Sequence, residues 1–305
     1  TPAYHQFVDK NLDVLVQVGP GGTPLPAFLP ANAVTPDAIT LPASVQDVDF
    51  MNPTCLNTKG HAVGFFVAQT NLQDSTELQD GFYWDVSLPQ AIPLNLGSLG
   101  IDTPRVVDAF INDSDVIAAT IQLQDTDSFE PVILNFSPTN PQPPVSFSDR
   151  VTNFETMVGF TNSGLLVYVG STTNPDASVT SGIYSFPTQG LVALPTQVVV
   201  NTGSVQYIPL NVNNNDDILV QQNTTLGSST DFDFVIFGGG KTESLLQNGF
   251  DVPTLAHYTP FVPTGQGGAM GDGGHVALLL AAGPDGTVPG APGIQQLILL
   301  TPETQ

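Results

Sequence analysis

One pattern returns along this chain about every fifty residues, and it limits the available folds more than any other feature: an apolar pair, a short polar turn, then an apolar run. Phe110-Ile111-Asn112-Asp113-Ser114-Asp115-Val116-Ile117 shows it plainly, and Phe7 to Leu15 repeats it. The same succession recurs at Phe50 to Val67, Met157 to Val169 and Ile208 to Val220, and again at Phe261 to Leu280 with a longer glycine-rich turn. Six copies therefore cover the chain. The residue just before each second run, taken as an anchor, is Asp13, His61, Asp115, Leu165, Asp217 or His275.

Beyond each anchor the order also repeats. After the second run come a polar loop and a third, aromatic or β-branched run of the kind strands prefer: Phe82-Tyr83-Trp84, Val132-Ile133-Leu134, Ile183 to Phe186, Phe234 to Phe237 and Leu297 to Leu300. A weaker fourth follows in most copies, at Ile92 to Leu96, Val145 to Phe147, Leu191 to Leu194 and Ser244 to Leu246, while the Pro-rich first copy hides its equivalent. Pro, Gly or Asn interrupts nearly every window long enough for an amphipathic helix. Four strands per repeat is the content of one propeller blade. A two-layer sandwich is the structural rival, but it gives no reason for six equal periods. The expected fold is all-β: a six-bladed β-propeller with mostly four-stranded antiparallel blades. It forms one domain over 1–305, with blades near 1–43, 44–100, 101–149, 150–196, 197–249 and 250–305.

Thr161-Asn162-Ser163-Gly164-Leu165-Leu166-Val167-Tyr168, followed by Gly182-Ile183-Tyr184-Ser185-Phe186, resembles the repeat of TolB-type six-bladed propellers. In that family a Ser-Pro-Asp-Gly-like turn joins the first two strands and an Ile-Tyr-like third strand follows. The Pro-Asp-Gly core is missing from every turn here. The resemblance thus implies a fold and brings no active-site residue with it.

Charge narrows the partners. Against 28 acidic residues stand only Lys10, Lys59, Arg105, Arg150 and Lys241, for a net charge of −23. A polyanion would be repelled, so nucleic acid is excluded as an expected partner, and anionic membrane surfaces are disfavoured likewise. Charged residues make up only 11% of the chain, and uncharged Asn, Gln, Thr and Ser supply most of the polarity. With so few Lys and Arg to cleave at, such a surface suits a secreted, extracellular location. The start at Thr1-Pro2-Ala3 fits a processed secretory precursor. The longest apolar stretch, Val276 to Ala282, is far short of the roughly 20 residues that span a bilayer, so membrane insertion is not expected. Cys55 stands alone, which rules out an internal disulfide. The last repeat ends after its third strand, so its outer edge is either blunted by solvent and Pro302 or open to a protein partner or to self-association.

The candidate chemistry sits in the turns. Asp13, His61, Asp115, Asp217 and His275 are expected at equivalent turn positions, where they could ring a cation. Asp and Asn also favour tight turns simply because their side chains mimic backbone hydrogen bonds. Acid pairs occur at Asp47/Asp49, Asp113/Asp115, Asp125/Asp127, Asp216/Asp217 and Asp231/Asp233. Calcium takes about six to eight oxygens, so a pair needs further ligands, and the best-supplied loops are Asn112 to Asp115 and Asn213 to Asp217. His5 and His257 fall in the first strands of the first and last repeats and with a carboxylate could hold a metal or move a proton. The metal candidates are thus Asp113, Asp115, Asp216, Asp217, His5 and His257, and calcium is the one cofactor considered.

Other motifs carry less. Gly265 to Gly274 is followed by another strand rather than a helix, so it does not form a phosphate cradle. No Gly-x-Ser-x-Gly elbow occurs, and Arg105 and Arg150 are too few for the arginine cluster of a sialidase site. Asn112-Asp113-Ser114, Asn135-Phe136-Ser137 and Asn223-Thr224-Thr225 match the N-glycosylation pattern. The leading functional expectation is a non-catalytic extracellular interaction or assembly scaffold. One alternative is a metal-dependent hydrolase or lyase with its site at the propeller axis. A carbohydrate-binding module using Tyr83, Trp84 and Tyr184 is the other, although these aromatics alternate within strands as core residues do.

Overall fold

The computed structural model describes residues 7–8, 14–18, 25–45, 47–71, 76–99, 104–123, 128–135, 143–147, 153–173, 175–188, 196–227, 229–245, 268–282 and 294–300. They form six antiparallel sheets in which strands follow one another in chain order. Sheet 1 comprises β1 (Phe7–Val8), β2 (Val14–Val18), β3 (Leu25–Leu29) and β4 (Asp37–Ala38), and sheet 2 comprises β5 (Val48–Leu56), β6 (His61–Asn71), β7 (Thr76–Asp85) and β8 (Ile92–Pro93). Sheet 3 holds β9 (Pro104–Ile111), β10 (Val116–Leu123), β11 (Phe129–Asn135) and β12 (Val145–Ser146). Sheet 4 holds β13 (Phe154–Phe160), β14 (Leu165–Thr173), β15 (Val179–Pro187) and β16 (Thr196–Val200). Sheet 5 holds β17 (Val205–Val212), β18 (Ile218–Leu226), β19 (Ser229–Gly238) and β20 (Lys241–Ser244), and sheet 6 holds β21 (Gly268–Met270), β22 (Val276–Ala282) and β23 (Ile294–Leu300). The fold is an all-β, six-bladed propeller with mostly four-stranded blades. The chain divides into two compact units, Thr1–Asn162 and Ser163–Gln305.

Burial explains why the second and third strands are so legible. Ile117 to Ile121 of β10 are buried without a break, because sheet neighbours flank the strand and packed sheets cover its faces. Three fourth strands are exposed edges, with both residues of β4 and β12 and all of β20 open to solvent, while β8 and most of β16 are half-buried. Short polar edges of this kind discourage unwanted pairing.

In the first unit, Leu15, Phe28 and Ile39 of sheet 1 pack with Met51, Phe66, Phe82 and Trp84 of sheet 2, with the Phe28 and Trp84 rings 5.3 Å apart. Val63, Tyr83 and Leu94 of sheet 2 pack with Val106, Ile117 and Ile121 of sheet 3. In the second unit, Leu219 and Phe234 of sheet 5 meet Met270, Val276 and Leu278 of sheet 6. Fully burying each large side chain contributes about 1.5–3 kcal/mol.

The prolines that interrupt strands sit where a missing N–H does least harm. Pro53 and Pro209 lie on first strands, at bulges where the register shifts. The bulge at Pro53 drives the β5 backbone onto Gly64, whose missing Cβ would collide with the Asn52 carbonyl and the Pro53 Cα.

Some sequence boundaries shift. Residues 191–194, expected as a fourth strand, lie outside the described residues, and the fourth strand of sheet 4 is Thr196–Val200. After β8 the chain enters a 3₁₀ turn at Leu96–Leu99, where a strand to Leu96 was expected. The edge strand of sheet 5 lies earlier than expected, at Lys241–Ser244. Among the described residues sheet 6 has three strands with β23 at its edge, and no helix is long and apolar enough to cross a membrane.

Candidate functional site

The first hairpin of a blade is closed by the same device in sheets 2, 3, 5 and 6. In sheet 3 the Asn112 N–H donates to the Val116 carbonyl (3.1 Å), and the Asp115 N–H donates to the Asn112 carbonyl (3.0 Å). Asp115 has φ of +60°, so a type I turn ends in a left-handed residue, as three-residue hairpin loops often do. The corresponding left-handed residues are Gly60 (+81°), Asp216 (+65°) and Gly274 (+76°). Structural equivalence therefore corrects the repeat alignment by one residue: Val116, not Asp115, is the counterpart of His61, Asp217 and His275. Asp115 takes the place that glycine usually holds, a conformation Asp tolerates better than most side chains.

The turn's leading Asn makes the device tight. Asn112 Oδ1 accepts the Ser114 and Val116 N–H groups, both at 3.0 Å. Asn57 Oδ1 accepts Lys59 and His61, and Asn213 Oδ1 accepts Asn215 and Asp217, all at 3.0 Å. Each amide nitrogen then reaches the next turn. Asn57 Nδ2 donates to the Asn112 carbonyl (3.0 Å), Asn112 Nδ2 to Thr161 (3.3 Å) and Asn213 Nδ2 to Gly271 (3.3 Å).

The second turn residue adds a further strap. Asp113 Oδ1 accepts the Thr58 N–H (2.9 Å) and Asp113 Oδ2 accepts Asn162 Nδ2 (2.8 Å), while the Asp113 N–H donates to Asn162 Oδ1 (2.7 Å). In the second unit Asp272 accepts the Asn214 N–H (2.7 Å) and Asn214 Nδ2 (3.1 Å). All three leading asparagines are buried, at 3–4% exposure, so these bonds are shielded from competing water.

Beside the straps of sheets 2 and 3 lies the richest group of ionisable side chains among the described residues. Asp115 Oδ1 accepts His61 Nδ1 (2.6 Å) and Asn57 Nδ2 (3.1 Å), and Asp115 Oδ2 pairs with Lys59 Nζ (3.1 Å). Tyr83 Oη is 3.1 Å from His61 Nδ1 and donates to Asp85 at 3.5 Å. A carboxylate only accepts, so Nδ1 carries a proton, and whenever the ring is neutral Nε2 is its acceptor. Burial alone would raise the Asp115 carboxyl. Hydrogen bonds from His61 and Lys59, with their charges, outweigh it and hold the group below the usual carboxylate range. Burial and then the charges of Asp85 and Asp115 push the Tyr83 phenol well up. Chemically, this arrangement can orient an imidazole as a base and keep a phenol protonated.

Two other carboxyls are displaced upward. Burial lifts Asp108 to about 7 against hydrogen bonds from the Ala109 N–H and Thr54, and burial raises Asp80 against N–H donors of Gly81, Leu96 and Asn95. Burial also takes the Cys55 thiol up to about 11, opposite to what an activated nucleophile needs.

The six metal candidates divide accordingly. Asp113 is a strap between turns and Asp115 a partner of His61. Asp216 accepts Ser163 Oγ (2.9 Å) and Asp217 accepts Asn213 Nδ2 (3.2 Å). His5 and His257 lie outside the described residues. Among the described residues no three His, Cys, Asp or Glu side chains come together to hold a metal. The aromatics considered for carbohydrate, Tyr83, Trp84 and Tyr184, are buried, and Tyr184 stacks on Tyr168 at 5.5 Å. Sequence reasoning missed Asn57 altogether and placed Asn112 and Asn213 in candidate calcium loops rather than as turn closers, although an Asn four or five residues before the second strand is a visible signal.

No protein-family model matches the chain, and no curated protein matches it. Solved structures do. Prolyl oligopeptidase B from Galerina marginata, bound to a 25mer macrocyclization substrate, is similar with a TM-score of 0.50 and 7% identity, over 88% of this chain and 37% of that one. TolB from Acinetobacter baumannii gives 0.47 and 10% over 90% of this chain and 57% of that one, and acylaminoacyl peptidase from Pyrococcus horikoshii gives 0.48 and 11% over 76% and 35%. The chain thus spans between about a third and somewhat over half of these proteins. The likeness to the oligopeptidase is one of fold, and together with the six sheets it makes this chain a β-propeller of the kind that the TolB-like repeat implied.

Proposed function

We propose that this protein is a non-catalytic extracellular scaffold for interaction or assembly. One observation carries the proposal: the turn side chains best suited to chemistry are engaged in holding successive blades together. Asn57, Asn112 and Asn213 close their own turns and reach the next, Asp113 accepts from the turns on either side of it, and Asp272 accepts from the turn before it on both oxygens. Such an arrangement supports a rigid support for contact surfaces. Sparse charge, only five Lys and Arg residues and abundant uncharged polar side chains support a place outside the cell.

The hydrolase or lyase reading keeps one favourable observation, the imidazole of His61 oriented by Asp115. Native mass spectrometry of protein purified gently from its source separates the two. A scaffold is recovered bound to a macromolecule or to its own copies. Free monomers with a stoichiometric, tightly held metal would sink the scaffold.

A further inference from the structure

One of the turn asparagines has a second meaning in the sequence. Asn112-Asp113-Ser114 is an acceptor for N-linked sugar, as are Asn223-Thr224-Thr225 and Asn135-Phe136-Ser137, the last two residues of which lie outside the described ones. Transfer joins the acceptor's Nδ2 to the anomeric carbon of a sugar, breaks the bond from that carbon to the donor's phosphate and releases one amide proton. The product bears a bulky, water-seeking ring on the nitrogen. Folding leaves no place for it at Asn112, which is 3% exposed. Asn112 Oδ1 holds the Ser114 and Val116 N–H groups, and Asn112 Nδ2 donates to the carbonyl of buried Thr161. The amide is planar and rigid, so swinging Nδ2 out to solvent takes Oδ1 off both turn N–H groups. A ring kept inside displaces packed atoms and loses its own water.

Asn223 is the contrast. It is half-buried near the second hairpin of sheet 5, and Thr225 and Leu226 just beyond it are exposed. Its Oδ1 accepts Gln221 Nε2 (2.6 Å) from the same strand, and among the described residues its Nδ2 has no partner to give up. We infer that Asn112 is a glycosylation acceptor closed by folding: sugar on its Nδ2 and the folded first unit exclude each other, whereas a chain bearing sugar at Asn223 folds. This goes beyond the scaffold reading and holds whether or not the protein is a scaffold. It constrains the route out of the cell, because a pathway that glycosylates unfolded chains diverts from folding every copy it modifies at Asn112.

The test makes the whole chain in a bacterial host together with a soluble N-glycosyltransferase that takes glucose from UDP-glucose. All chains are dissolved in urea, refolded by dilution and divided by size-exclusion chromatography into folded and unfolded fractions. Peptide mapping by mass spectrometry then reads the sugar at each Asn in both. Asn112-modified chains are expected to be about tenfold or more scarcer in the folded fraction than in the unfolded one, and Asn223-modified chains to divide like unmodified ones. Ser114→Ala removes the acceptor but keeps the backbone N–H that Asn112 Oδ1 holds, at an exposed position. Its refolded share should therefore be the same with and without the transferase, where that of the parent falls. Asn112-modified chains shared evenly between the fractions overturn the inference. So does an equal depletion of Asn223-modified chains, which makes sugar at any site the obstacle, and so does a Ser114→Ala variant whose refolded share falls as far as the parent's.

Discussion

Replacing Asn112 by Ala removes three hydrogen bonds at once: the two that Oδ1 accepts from Ser114 and Val116 at 3.0 Å, and the one Nδ2 gives to the Thr161 carbonyl at 3.3 Å. The residue is 3% exposed, so water replaces these partners poorly. At about 1 kcal/mol for each bond, the expected loss is about 3 kcal/mol. Urea unfolding followed by fluorescence of Trp84, the single tryptophan, reports on the first unit, where both residues lie. Asn112→Asp separates the contributions. It keeps an acceptor for the turn, loses the donor to Thr161 and adds a charge beside Asp113 and Asp115, so it should also destabilise at pH 7 and recover in part as the pH falls. Ser114→Ala, at an exposed position of the same turn, should change stability by no more than about 0.5 kcal/mol. An Asn112→Ala cost as small as that of Ser114→Ala would refute the idea that this side chain ties blades together.

Further outcomes follow from other sites. Asp108 has a folded-state pKa of about 7, above its ordinary value of 3.8, so its protonated form favours the fold and stability falls as pH rises between roughly 4 and 7. Asp108→Asn should therefore raise the urea midpoint at pH 8 and leave it nearly unchanged at pH 4. Asp115 is displaced in the opposite sense: its stabilising effect is present above the ordinary carboxylate pKa and disappears as pH falls through its lowered one. Asp115→Asn should cost ~1 kcal/mol at pH 7 and little at pH 2, measured by the same unfolding curves. Gly64→Ala should cost about 2 kcal/mol in thermal or urea melts, because its Cβ meets backbone of the β5 bulge rather than a movable side chain.

What could be read from the sequence followed burial. Second strands such as Val116–Leu123 and third strands such as Phe129–Asn135 lie inside their sheets and are buried without a break over Ile117–Ile121 and Pro131–Leu134, so their apolar centres are plain in the sequence. The exposed fourth strands are short, and Asp37–Ala38 or Lys241–Ser244 carry no apolar pattern that a sequence could reveal. The turn was recognised but aligned one residue off in sheet 3, because Asp115 adopts the left-handed conformation that Gly60 and Gly164 adopt elsewhere. The cluster around His61 was invisible: its parts come from Lys59, Tyr83 and Asp85 of one blade and Asp115 of the next, and only packing of sheets 2 and 3 brings them together.

Hydrogen exchange at the turn amides of Lys59, Ser114 and Asn215 tests most directly whether side chains hold these turns and, through them, the blades. Turn amides facing water exchange near the intrinsic rate, whereas each of these donates to a buried Asn Oδ1. Protection of at least a hundredfold is expected, lost at Ser114 in Asn112→Ala. Exchange near the intrinsic rate in the unmodified protein would contradict it, leaving those asparagines available for another task.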